Sequence, residues 1–143
     1  MVPPPAASRL GRAAPGISSG VDAKLVARSL AGNRALIGAG LALLPKLASR
    51  GWVGPQQSEA PGAQLLARAT GARDLGIAAG VLTTVDSRRK RGAWLRAQLL
   101  ADAVDFGATL AVARSLPPSA RAVGLGMSGG STLVAAWLVR ELG

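Results

Sequence analysis

Long apolar blocks make up most of this chain, interrupted by proline, glycine and charge at "RGWVGPQQSEAPG", "DSRRKRG" and "SLPPS". Each interruption reads as a loop, since proline removes a backbone donor while glycine and clustered charge favour solvated turns. The blocks between them predict four helices, about 21–49, 63–85, 93–115 and 119–142. In the third, Gln98, Asp102, Asp105 and Thr109 recur at steps of four, three and four, which places them on one helical stripe. From Ala97 to Val112 every other position is alanine, leucine, valine, phenylalanine or glycine. A surface helix in water shows the reverse balance, so the stripe is expected to point inward and the apolar faces to be covered by protein or lipid.

The fourth block carries no charge from Ala122 to Val139, close to the roughly 20 residues that cross a bilayer core. The others have shorter uncharged runs: Ala35–Pro45, Leu75–Val85 and Gly107–Ala113. Small residues four apart let helix backbones approach closely in an apolar setting. Gly76 with Gly80 and Gly126 with Gly130 have that GxxxG spacing and are the expected packing positions. A faint repeat sets "LVARSLAGNRALIGAGL" (Leu25–Leu41) over "LLARATGARDLGIAAGV" (Leu65–Val81) at an offset of forty, which suggests two helices packed alike. The expected fold is all-α, a four-helix transmembrane bundle over 21–143 behind a disordered basic tail over 1–20.

Composition fits one domain of close-packed helices: 143 residues, 49% hydrophobic, mean hydropathy +0.31, with three tryptophans and one phenylalanine. Seventeen basic against seven acidic residues give a charge of +10, which in a polar chain would point to nucleic acid. Here no helix shows a polar face and stacking aromatics are few, so no nucleic-acid partner is expected; a soluble basic nucleic-acid binder stands as a third reading. With four spans, Arg9, Arg12 and Lys24 share one side with the Arg88, Arg89, Lys90, Arg91 loop. The positive-inside rule then predicts an integral protein of the cell membrane with both termini cytoplasmic, and Trp52, Trp94 and Trp137 near helix ends agree.

"RAVGLGMSGGST" (Arg121–Thr132) spells the dinucleotide fingerprint GxGxxG at Gly124, Gly126 and Gly129 and the hydrolase elbow GxSxG at Gly126, Ser128 and Gly130. The fingerprint needs a preceding strand and an acidic residue about 20 positions on, whereas these glycines interrupt a helix near the end of the chain. The elbow needs a base, and the chain has neither histidine nor cysteine. That inventory also excludes disulfides, thiolate catalysis and the usual zinc and haem ligands. No catalytic residue, cofactor or metal site is expected, and no enzyme activity.

Arg34, Arg73, Asp74, Asp102 and Asp105 lie inside or at the edge of the predicted helices. Ionisable groups there cost several kcal/mol unless paired or facing a cavity. They are therefore expected to form one buried cluster, two arginines against three carboxylates, with one carboxyl shared or protonated. Arg73 and Asp74 point about 100° apart on a helix and are expected to serve different partners.

The segments "ARATGARDLGIAAGVL" and "LLADAVDFGATLAV" resemble a family of small four-span integral membrane proteins classed as a domain of unknown function. The resemblance spans roughly Leu25 to Leu142, centred on Gly71, Ala72, Arg73, Asp74 and Leu75 and the later pair Asp102 and Asp105. It implies a helical membrane bundle and no particular reaction. The leading expectation is a structural or interaction component of the membrane, with the lipid bilayer, further copies of itself or another membrane protein as partners. The alternative is a small transporter or ion- or proton-handling protein that uses the Arg/Asp cluster.

Overall fold

The computed structural model describes residues 22–143; the expected tail over 1–20, with Arg9 and Arg12, lies outside the described residues. Six α-helices follow: α1 Ala23–Leu43, α2 Pro45–Val53, α3 Pro55–Ser58, α4 Pro61–Thr84, α5 Arg88–Val112 and α6 Pro118–Leu142, with a 3-10 turn at Ala113–Ser115 before the last. Pro45, Pro55, Pro61 and Pro118 open four of the helices, in the first turn, where a backbone N–H has no helical partner and its loss is harmless. At the start of α1 the Asp22 carboxylate accepts from the backbone N–H of Lys24 at 2.9 Å and Leu25 at 3.4 Å. Asp22→Ala is expected to destabilise the fold by about 1 kcal/mol in a denaturant titration, the usual worth of such a cap.

The first predicted helix is two helices. Pro45 has no N–H to continue α1 and turns Leu44 away from helical geometry, to φ −126° and ψ 55°. Gly54, at φ 92°, then ends α2 in a conformation that favours glycine. These two breaks fold α2 across one end of the bundle, where Trp52 reaches α6. At Gly124 a Cβ would lie 2.9 Å from the Thr109 methyl and 3.2 Å from the Trp52 ring, so a larger residue would have to displace these side chains.

α1 and α4 form the largest helix pair, followed by α5 with α6. α1 and α4 run antiparallel: Asp86, just past α4, bonds Lys24 and Arg28 in the first turns of α1, while Gly71 meets Gly38 towards the opposite ends. A Cβ on Gly38 would sit 2.9 Å from the Gly71 carbonyl oxygen, and one on Gly71 would sit 2.5 Å from that of Gly38. The core where the long helices meet is built from small and branched residues, among them Ala27, Ala31, Ala78, Val81, Leu95 and Leu138.

Three expectations are corrected here. The bundle has six α-helices, not four. Among the described residues only α6 is long and apolar enough to cross a membrane, with mean hydropathy 1.5 over its best window. Arg28 and Arg34 in α1, Arg68, Arg73 and Asp74 in α4, and Arg96, Asp102 and Asp105 in α5 interrupt the other long helices. The four-span transmembrane bundle falls, and with it the placement as an integral membrane protein with both termini cytoplasmic, which required four crossings. The GxxxG packing is also corrected. A Cβ on Gly76, Gly126 or Gly130 would meet nothing within 4 Å, and Gly80 lies against the Trp94 ring. Close backbone approach occurs at Gly38 and Gly71 instead, because spacing along a helix does not say which face meets a neighbour.

Candidate functional site

The five ionisable residues singled out in the sequence are linked by ion pairs between α1, α4 and α5. Arg34, midway along α1, donates from one terminal nitrogen to Asp74 of α4 at 2.7 Å and from the other to Asp102 of α5. Arg73 of α4 grips Asp105 of α5 with two parallel hydrogen bonds of 2.9 and 2.6 Å, the bidentate geometry that fits guanidinium to carboxylate. It also donates to the neighbouring Asp74 at 3.2 and 3.0 Å. So Asp74 and Arg73 have separate principal partners, yet also join each other. The result is an alternating chain, Asp102, Arg34, Asp74, Arg73, Asp105, that starts and ends on α5.

Burial differs along this chain. Arg34, Asp74 and Asp102 are buried, with Asp102 only 3% exposed, whereas the Arg73 and Asp105 side chains reach the edge of the bundle. Charges this deep are held by partners, since an unpaired one would lose its hydration with no compensation. Pairing is nonetheless incomplete. Asp102 Oδ2, Arg34 Nε and both amide atoms of Gln98 have no hydrogen-bond partner among the described residues. An orphaned buried polar atom costs about 1–3 kcal/mol, a cost that a proton on Asp102 would lessen.

Burial is the main influence pushing the Asp102 carboxyl above the ordinary aspartate range; the Asp105 charge adds to it, and Arg34 and the Ser131 hydroxyl oppose it. The Arg73 guanidinium is held above its usual value chiefly by its hydrogen bonds to Asp105. At the protein surface, Asp86 titrates below the normal range because Arg28 and Lys24 bond it.

The cluster forms the floor of a cavity of about 710 Å³ between α1, α2 and α6. Its polar lining includes Arg34, Asp74, Asp102 and Asp105; its walls include Leu30, Ile37, Trp52, Met127 and Val134. A mostly apolar pocket with a few convergent polar groups is the usual form of a small-molecule site, and this volume lies in the usual range. A smaller cavity of about 240 Å³ is also lined by Trp52 and Asp105. Trp52, Ser131 and the Gln98 orphan were not marked as site residues in the sequence. Gln98 carried a signal, one turn from Asp102 on the same stripe, but Trp52 carried none because the fold-back of α2 brings it to the site.

Neither chemical spelling in Arg121–Thr132 forms its motif. Gly124, Gly126 and Gly129 lie within continuous α6, and the Ser128 hydroxyl donates to the Gly124 carbonyl at 2.6 Å. Among the described residues no group of three histidine, cysteine, aspartate or glutamate side chains could hold a metal ion. Arginines stand between the carboxylates of the cluster.

No family model, curated protein or solved structure matches the chain. The resemblance to a four-span membrane family is therefore corrected: no family model carries it, and one span-length helix stands where four were needed.

Proposed function

We propose that this protein handles a proton or cation at its buried Arg/Asp cluster, with Asp102 as the group that changes charge and the adjoining cavity as the ligand's place. The observation that carries this reading is Asp102 itself, 3% exposed, lining the cavity, with Oδ2 unpartnered. Arg34 from α1 faces it, with Arg73 and Asp74 from α4 and Asp105 on its own helix; Ser128 and Ser131 of α6 also line the cavity. Fully ionised, the five charged groups sum to one negative charge. A proton on Asp102 or a bound monocation would each neutralise it. The role proposed is binding rather than catalysis.

The Arg73–Asp105 pair serves a different purpose. Its two parallel hydrogen bonds fix α4 to α5 and occupy both oxygens of Asp105, whereas Asp74 and Asp102 each bond through one oxygen, the other oxygen of Asp102 being fully buried.

The test is a carboxyl-carbon NMR titration of the full chain beside Asp102→Asn. One aspartate is expected to titrate above the ordinary value of about 3.9, and that resonance should vanish in the variant. Where the folded midpoint exceeds the unfolded one, the folded state binds more protons between the two. Stability therefore falls as pH rises through that window, and Asp102→Asn should remove this slope. If every aspartate titrates at or below the ordinary value, the proposal is wrong.

A further inference from the structure

Four features of the cavity bear on what it would bind. Its floor places Arg34 against three carboxylates, and the whole cluster, with Arg73 behind, has a surplus of one negative charge; its walls are apolar; Trp52 lines it; and Asp74 and Asp102 each keep one oxygen without a hydrogen bond. An anion would meet three carboxylates. A neutral apolar molecule would leave the charge unanswered, and a hard divalent ion lacks the converging oxygens it needs. A cation with N–H donors satisfies the carboxylate, an apolar body fills the walls, and a tryptophan ring adds attraction for a positive charge.

We propose that the cavity binds a small monovalent organic ammonium with an apolar body, its N–H groups directed at the Asp102 and Asp105 side of the cluster and its body lying among Ile37, Trp52, Met127 and Val134. This inference rests on the reading of Asp102 and its cavity given above. The ammonium and the proton then compete for one charge. Binding displaces the proton from Asp102 when it is protonated, so affinity falls as pH is lowered through the Asp102 titration.

The probe is 2-phenylethylammonium, titrated calorimetrically into the full chain at neutral pH, with 2-phenylethanol as neutral counterpart and phenylacetate as anionic counterpart. The ammonium is expected to bind about tenfold or more tightly than the alcohol, with phenylacetate not bound. Asp102→Asn should weaken it by about tenfold or more. Gly130 lines the cavity, and a Cβ there meets nothing within 4 Å. Gly130→Leu should therefore fold normally and obstruct the cavity, with a similar loss; it carries the test if Asp102→Asn fails to fold. Equal binding of ammonium and alcohol overturns the inference, as does unchanged affinity in either folded variant. Absence of ammonium binding while Asp102 still titrates high removes the organic ligand and leaves the proton reading standing. Absence of both removes the two together.

Discussion

Arg34→Met is expected to destabilise the protein by about 3–5 kcal/mol, the loss typical when one partner of a buried ion pair is removed. Arg34 holds Asp74 of α4 and Asp102 of α5 at once, and all three are buried. Methionine fills similar space and keeps the apolar contacts of the arginine stem, so the loss measures charge rather than volume. Asp102 would then have neither oxygen bonded to a guanidinium, while Asp74 would keep Arg73. The destabilisation should consequently be smaller at low pH, where Asp102 takes a proton and needs no counter-charge. Urea titrations of wild type and variant at neutral and acidic pH measure both quantities. Adding Asp102→Asn to Arg34→Met should recover part of the loss, because the two residues share one interaction and their effects do not add. An Arg34→Met protein as stable as wild type at neutral pH would show that the cluster does not hold α1 to its neighbours.

Gly71→Ala and Gly76→Ala are expected to move stability in opposite directions although they lie five residues apart on α4. Alanine in place of glycine favours a helix by roughly 0.5–1 kcal/mol when nothing obstructs the methyl group. At Gly76 nothing lies within 4 Å, so stability should rise by about that amount. At Gly71 the methyl would lie 2.5 Å from the Gly38 carbonyl oxygen and 2.7 Å from the Ala42 backbone nitrogen. Both are backbone atoms and cannot rotate away. α1 must move off α4, and overpacking of this kind costs about 1–3 kcal/mol, which exceeds the helix gain. The same displacement lengthens the Arg34–Asp74 bond, so Gly71→Ala should also disturb the Asp102 titration, while Gly76→Ala should not. Melting temperatures of the two variants decide the point. A stabilising Gly71→Ala would mean that α1 and α4 do not cross at these glycines.

The helical content and the cluster were readable because both follow from local rules. Proline and glycine breaks marked the loops, and period counting put Gln98, Asp102 and Thr109 on one face, where all three are buried. The cluster could be named because ionisable residues within apolar blocks require partners, and five of them nearly balance in charge. The offset of forty that aligned Leu25–Leu41 with Leu65–Val81 also relates Arg34 to Asp74, which bond across the α1–α4 pair. The span count was misread for a reason equally physical. Arg34, Arg73 and Asp102 fall within the predicted helices but outside their uncharged runs, and a paired charge can be buried inside a protein bundle as well as in lipid. The predicted helix over 21–49 ran through Pro45 because the apolar residues continue beyond it. The outer faces remain apolar, with Leu36, Leu43 and Leu133 about three-quarters exposed.

By itself the sequence determined what each segment can form and which side chains cannot stay alone: helices broken at proline and glycine, a polar stripe on α5, and two arginines owed to three aspartates. Only the tertiary structure decided the pairing, in which Arg34 bridges Asp74 to Asp102 while Arg73 takes Asp105. It also decided that Gly38 and Gly71, rather than the GxxxG glycines, bring two backbones together, and that Trp52 reaches the cavity. Local rules act over a turn or two of chain, within reach of a repeat or a spacing. Which helix faces which, and in what rotation, depends on contacts between residues tens of positions apart, and those are settled only when the whole bundle packs.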